Sequence, residues 1–400
     1  MQLSDICIIG TGATPSTRNS TYYKDGTIPW IGSSETSNEY IDAPTTFITQ
    51  KALDETNCTV YPIGTIIMAM YGEGKTRGQI SELRISSATN QACAAIVPIF
   101  KEIKSFIKTY LKGNYLRLRT LAEGGMQPNL NLGKISSYRI PMPPLAEQIR
   151  IERILNDLLS KVDLIDSEKS EINLSLFNVK SKILELAISG KLVPQDPSDE
   201  PAEELLRRIN PSAVPADKSH YKFDIPNNWM ISQLGDLFHH NTGKALNRSN
   251  QDGAMLDYIT TSNLYWDRFE LDNLKQMCFK ENEINKCSVE KGDLLVCEGG
   301  DIGRAAIWSY NYSICIQNHI HRLRPLDIHL VYPRFYYYCF FLYKQQNLIG
   351  GKGIGIQGLS SNQLHKVIFP LPPLNEQKRI VAKIDELFNV INQIQQSLEA

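Results

Sequence analysis

Two glycine-rich stretches and a set of loop cations are the places where this chain could do chemistry. Residues Ala69-Met-Tyr-Gly-Glu-Gly-Lys75-Thr76 follow an apolar run and loosely fit a phosphate loop. In such a loop, backbone amides and a lysine cradle phosphates at the start of a helix. The strict pattern has glycine where Ala69 stands, and here Gly78 and a polar stretch come next. A nucleotide-binding enzyme using Gly74-Lys75-Thr76 is therefore an alternative reading, which nucleotide binding by the purified chain would favour. The second stretch, Gly350 to Gly358, lacks the strand–turn–helix setting of a dinucleotide fingerprint. It aligns loosely with Glu123-Gly-Gly-Met-Gln127 and reads as a shared turn.

Other chemistries find little support. The eight cysteines, at 7, 58, 93, 278, 287, 297, 315 and 339, form no C-x-x-C pair, so no structural zinc is expected. They read as structural thiols of a reducing cytoplasm. The histidines include His239-His240 and His319/His321, which read as structural or surface residues. There is no H-E-x-x-H, no nuclease carboxylate cluster and no Asn-Pro-Pro-aromatic methyltransferase motif. No catalytic residue, metal or cofactor is expected. The N-terminus has no basic region before an apolar run, and no apolar run reaches about 18 residues. Both point away from a secretory signal or membrane span, and to a cytoplasmic protein.

Base reading, which the family resemblance given below implies, needs Arg, Lys, Asn, Gln, Ser or Thr on loops that reach base edges. In the first part of the chain the candidates are Ser16, Thr17, Arg18, Asn19, Lys75, Thr76 and Arg77, with Tyr22 and Tyr23 beside them. In the second they are Lys244, Asn247, Arg248, Ser262, Asn263, Tyr265, Arg268 and Arg304. The run from Phe335 to Leu342, with Tyr336, Tyr337 and Tyr338, reads as a packed helix rather than a stacking platform. Charge is uninformative alone: the chain carries net −1. Residues 1–140 hold 14 basic against 11 acidic side chains, and 141–225 hold 11 against 15. A DNA binder this neutral binds weakly alone or borrows basic charge from a partner.

The elements that must position these loops come in two copies. Pro143-Pro144-Leu145 and Glu147-Gln148 recur as Pro372-Pro373-Leu374 and Glu376-Gln377, an offset of 229 residues. Each copy opens a helical pattern with apolar residues alternately four and three apart. The first seam is Ile151, Leu155, Leu158, Val162, Ile165, Ile172, Leu176, Val179, Ile183 and Leu186, broken only at Lys169. The second is Ile380, Ile384, Leu387, Ile391, Ile394 and Leu398. Such heptads predict a coiled coil. The flanking units also echo one another: Thr11-Gly12 matches Thr242-Gly243, and Gly64-Thr-Ile-Ile-Met matches Gly292-Asp-Leu-Leu-Val. Strand-like runs (Thr65–Met70, Ala94–Val97, Asp293–Cys297, Arg322–Arg324) mix with helix-like stretches (Ile99–Tyr110, Pro333–Tyr343). The expected fold is α+β: two similar globular units, 1–140 and 226–370, separated by long helices whose seams pair as a coiled coil. The helical spacers are 141–190 and 371–400, the latter short, and 191–225 is a proline-broken linker.

The order of these motifs is specific. Globular unit, Pro-Pro-Leu-x-Glu-Gln helix, Ile188-Ser-Gly-Lys-Leu-Val-Pro-Gln-Asp196, Phe223-Asp-Ile-Pro226 with Trp229, second unit and second helix together resemble the specificity subunit of a Type I DNA restriction-modification system. The resemblance spans essentially the whole chain. It implies two target recognition domains, each reading one half of a split double-stranded DNA sequence. It also implies antiparallel helices that set the spacing and dock two methyltransferase subunits, with restriction subunits as a further partner class. The subunit itself would be non-catalytic. One departure is that the second helix ends near the point matching Ser170, without a second Ile-Ser-Gly-Lys segment. A coiled-coil scaffold without DNA contact is the remaining alternative.

Overall fold

In the computed structural model, residues 1–72, 74–122, 129–217, 221–246, 252–349 and 359–399 are described. The chain forms two compact units, Met1–Asp166 and Ser167–Ala400. The first contains a five-stranded sheet in the order Cys7–Thr11, Cys93–Pro98, Ile66–Ala69, Ile80–Leu83, Tyr40–Ile41. Its smaller sheet runs Thr46–Ile48, Ile28–Ile31, Ser87–Thr89, Val60–Tyr61. The second unit repeats this plan. One sheet is Phe238–Thr242, Ile320–Pro325, Leu294–Cys297, Ala305–Ile307, and another is Lys275–Phe279, Ala254–Ile259, Ile314–Ile316, Ser288–Val289. Even the one parallel pairing in each smaller sheet recurs, Trp30 opposite Ala88 and Tyr258 opposite Cys315. The faint sequence echo is thus a repeated strand order.

The Thr-Gly pairs show why a residue type survives in both copies. A β-carbon on Gly12 would collide with the carbonyl oxygen of Thr89, and one on Gly243 with that of Ile316. At both points the chain leaving the main sheet crosses the end of a strand in the smaller sheet. Only a residue without a side chain permits that backbone approach.

Helices cover the main sheets. Lys104–Gly113 buries Phe106, Ile107 and Leu111, so the first helix starts later than Ile99, after a 3-10 turn at Lys101–Ile103; Ile99 and Phe100 are exposed. Pro333–Gln345 buries its aromatic run, with Phe335, Tyr336 and Phe340 packed beside Trp229, Phe238 and Phe369. Tyr336 meets Phe238 edge-on at 5.2 Å. This is the packed helix expected from the apolar spacing.

The long helices are Leu145–Ile188 and Leu374–Glu399. Within the second unit, Lys180 donates to Asn392 and Gln395, both at 2.8 Å, and Gln195 reaches Glu376. Numbers rise along one helix as they fall along the other, so this stretch is antiparallel. Ile183, Ile380, Ile384 and Ile391 are buried there, Leu176, Leu186, Leu387 and Leu398 half-buried, and Val179 and Ile394 exposed. Upstream the seam lacks such cover. Ile151, Leu158, Val162, Ile165 and Ile172 are exposed and Leu155 half-buried. At the register set by Lys180, Glu399 stands about one turn short of Ile172, so the described second helix supplies no opposing face before it.

In the second unit His240 Nε2 and His321 Nδ1 lie 2.8 Å apart, with the His365 ring 4.9 Å from that of His240. His321 is fully buried and bonded to the Leu359 carbonyl. Burial first, then the neighbouring His321, His365 and Arg322, pushes His240 down to about 3; burial also lowers His321, which faces Glu298 at longer range.

This packing generates two expectations. Gly12→Ala and Gly243→Ala should each cost more than about 2 kcal/mol in urea unfolding, because backbone must move. Gly113→Ala, with nothing within 4 Å of the added carbon, should be neutral or stabilise by up to about 1 kcal/mol. Equal effects at all three sites would contradict the crossing geometry. For the histidines, a depressed folded value means stability is fully present above the unfolded value near 6.5 and is lost as pH falls toward 3. Unfolding followed by tryptophan fluorescence should weaken below about pH 6.5, at no more than about 1.4 kcal/mol per pH unit for each histidine. His240→Phe should flatten that dependence; an unchanged slope would remove the pair from the explanation.

Candidate nucleic-acid interface

Strand direction gathers the candidate residues. Cys7–Thr11 and Ile66–Ala69 both run antiparallel to Cys93–Pro98, with Thr11 opposite Ala94 and Ala69 opposite Cys93. The loop holding Ser16–Asn19 and the hairpin holding Lys75–Arg77 therefore leave the sheet at one edge. The second unit does the same: Thr242 stands opposite His321 and Cys297 opposite Ile320. Its two loops carry Lys244 and Arg304. The turn after Ala254–Ile259 adds Ser262–Arg268, drawn in by the Arg304 guanidinium, which donates to the Thr261 carbonyl at 2.6 Å.

Within these loops the side chains divide into free and committed. Ser16, Thr17, Arg18 and Lys75 are exposed. Asn19 caps a 3-10 turn, accepting from the Thr21 amide at 3.2 Å and the Thr21 hydroxyl at 2.8 Å. Tyr22 and Tyr23 brace the same loop through Glu55 and the Pro15 carbonyl. Thr76 and Arg77 are half-buried. In the second unit Arg268 and Ser262 are exposed, and Arg268 pairs with Glu270 at 3.2 Å. Tyr265 is half-buried, its ring 4.9 Å from Arg268 and 5.2 Å from Arg304.

Lys244 and Asn263 serve the fold. The Lys244 ammonium donates to the Cys278 carbonyl at 2.8 Å and to Glu283 at 2.6 Å, holding the Glu283 carboxyl below its usual range. Asn263 accepts from the Thr260 amide and hydroxyl and donates to the Glu270 carbonyl, so its amide group closes the turn. Arg304 has its guanidinium tied inward as well. These three, candidates for reading bases, each make bonds that position the loops. Asn247, Arg248 and the Gly350–Gly358 stretch lie outside the described residues, as do Glu73 and 123–127.

The partner strand decides the nature of the glycine-rich loop. Ile66–Ala69 pairs antiparallel with Ile80–Leu83, so Gly74-Lys75-Thr76 is a hairpin tip and not the start of a helix. In both units the hairpin closes on a positive-φ glycine, whose amide donates back to the strand end: Gly78 to Ala69 and Gly303 to Cys297. Among the described residues no group of three or more His, Cys, Asp or Glu could hold a metal. No described helix is long and apolar enough to cross a membrane.

Sequence reasoning missed the helix Tyr115–Thr120. The Tyr115 hydroxyl donates to the Lys75 carbonyl at 2.5 Å, and Arg119 donates to the Arg77 carbonyl at 2.8 Å. The signal was available: residues 103–122 hold five Lys or Arg and no Asp or Glu.

Comparison with known proteins matches this geometry to one family. Residues 1–174 and 226–400 match the family described as the Type I restriction modification DNA specificity domain. The specificity subunit of the Type I restriction enzyme EcoBI of Escherichia coli is 23% identical over 85% of this chain and 69% of its own length. That of EcoKI from E. coli K12 is 21% identical over 94% and 79%. In fold, the chain is similar to a subunit in a structure of an assembled Type I restriction-modification system, with TM-score 0.66, 17% identity, and coverage of 100% of this chain and 92% of the other. A crystal structure of the specificity subunit from Thermoanaerobacter tengcongensis gives TM-score 0.57 and 18% identity, covering 100% and 90%. With the two matched segments covering well over half of the chain, it belongs to the family of Type I restriction-modification DNA specificity subunits.

Proposed function

We propose that this chain is a non-catalytic subunit that reads a bipartite double-stranded DNA target, one half through each unit, and docks methyltransferase subunits on its helices. The observation that carries this is the repeated edge. Two copies of one sheet plan each present loops at the same end, and the frame repeats while the loop residues differ. A protein that reads two different half-sequences needs that combination. The DNA-contacting residues we assign are Ser16, Thr17, Arg18, Lys75, Thr76 and Arg77 in the first unit, and Ser262, Tyr265 and Arg268 in the second. In this reading the recognition domains are 1–140 and 226–370, and 141–190 with 371–400 form the spacer. Two methyltransferase subunits supply both the catalysis and the basic charge the chain lacks; restriction subunits would join the same assembly.

The exposed stripe Ile151, Leu158, Val162 and Ile165 supports docking, because contiguous uncovered apolar surface marks interaction sites. The rival scaffold function predicts no sequence-selective DNA binding once methyltransferase subunits are added, and that measurement separates the two.

Methylome mapping tests the readout. Exchanging residues 1–140 for the matching domain of a relative should change one half of the methylated sequence and leave the other. A change in both halves, or in neither, would end the case for independent reading. The helices give a second test. Leu158 is 53% exposed, so Leu158→Asp should alter unfolding by less than about 0.5 kcal/mol yet abolish co-purification of methyltransferase subunits. Leu387→Asp, half-buried, should cost about 1–3 kcal/mol as well. Full docking in both variants would overturn the assigned surface.

A further inference from the structure

The hairpin tip Gly74-Lys75 forms one wall of a cleft of about 770 Å³ in the first unit. The other walls are the turn Thr36–Glu39, the end of the helix Lys104–Gly113, and the helix Tyr115–Thr120. Three cations line it: Lys75, Lys112 and Arg119. The carboxylate among its described lining residues, Glu39, is already met by Lys112 at 2.8 Å and Lys108 at 3.2 Å. Tyr115 and Arg119 hold the hairpin by its Lys75 and Arg77 carbonyls. The Lys75 side chain stays exposed and has no ion-pair partner among the described residues.

The second unit acts as an internal control. Its hairpin glycine, Gly303, is crowded by buried Ile349, whose side chain lies 2.8 Å from where a β-carbon would be. Lys344 there pairs with Asp301 at 2.9 Å, as Lys112 pairs with Glu39 in the first unit, so the difference lies in the apolar filling and in the exposed Lys75. The shared sheet plan thus closes this corner with apolar packing and an ion pair. In the first unit the hairpin is longer and a cationic helix is placed against it. Scaffolding does not require that arrangement.

We propose that this cleft seats the sugar–phosphate backbone of one strand of the DNA bound to the first unit; the proposal rests on the DNA-reading function. Anionic phosphodiesters are matched by clustered Lys and Arg, and such contacts set register without reading sequence. A free nucleotide shares this chemistry, so the test separates the two sources.

The complex with methyltransferase subunits is titrated with target duplex over a range of salt. Each lost phosphate contact should reduce the slope of log K against log salt by about 0.9. Lys75→Ala should lower it by about one such step, and Lys75→Ala with Lys112→Ala further. Lys101→Ala is the charge-matched control, because Lys101 follows Pro98 at the opposite end of the sheet; its slope should equal wild type. Unchanged slopes in the cleft variants, or an equal drop in the control, would overturn the cleft while leaving DNA reading intact. Micromolar binding of dAMP, lost in Lys75→Ala beside an unchanged DNA slope, would assign the cleft to a free nucleotide and also overturn the proposal. A complex that binds no DNA would remove both the cleft and the reading function.

Discussion

A carboxylate with no solvent contact is tolerated only where donors meet its oxygens. Glu376 is such a group, fully buried at the start of the second long helix. Burial pushes its carboxyl up; the Trp229 indole, donating at 2.9 Å, and the Gln195 amide pull against that. Gly190, in the left-handed region at φ +67°, turns the chain beneath Pro226 and Trp229, where a β-carbon would collide with the proline ring. Arg379 clamps Asp199 at 2.6 Å beside it. Three pieces of sequence, 190–199, 226–229 and 376–379, therefore meet here. Their meeting fixes where the first helix ends against the second, and so fixes the antiparallel register. The Ile-Ser-Gly-Lys-Leu-Val-Pro-Gln segment and the Trp229 motif read as family signatures; physically they are the parts of this joint.

The joint is absent from the other copy. Glu147, the counterpart of Glu376 at the same offset, is exposed. Its neighbour Gln148 keeps its role, donating to the Pro143 carbonyl at 2.8 Å as Gln377 does to Pro372 at 2.9 Å. So the proline-turn half of the motif is local and works twice. The Glu half needs the linker, which meets the second copy. This explains why Ile380 and Ile384 are fully buried while Ile151 is exposed and Leu155 half-buried.

Much of this architecture was legible from residues alone. The duplicated Pro-Pro-Leu motif marked both long helices, and the matched Thr-Gly pairs marked equivalent points of the two units, where the backbone contacts of Gly12 and Gly243 reveal strand crossings. The loops were harder. A lysine or asparagine on a polar stretch looks the same whether it faces a base or its own fold. Lys244 and Asn263 turned inward because Glu283 and the Thr260–Asn263 turn lay within reach, contacts that connect distant or tightly turned segments. The burial along the first seam was equally hidden. A heptad states that a face wants a partner, not that the same chain provides one. The hairpin at Gly74 was misleading for a related reason: glycine spacing records backbone freedom, and only the partner strand Ile80–Leu83 shows what the loop connects.

The open stretch of the first helix carries a consequence for the chain before any DNA is met. Leu158, Leu159, Val162, Leu164 and Ile165 all stand exposed on one continuous helix. In isolation such surface is adhesive and favours self-aggregation. Under the docking proposed above, a partner that covers this helix would also act as its chaperone, and the supply of usable copies would be set by the supply of that partner.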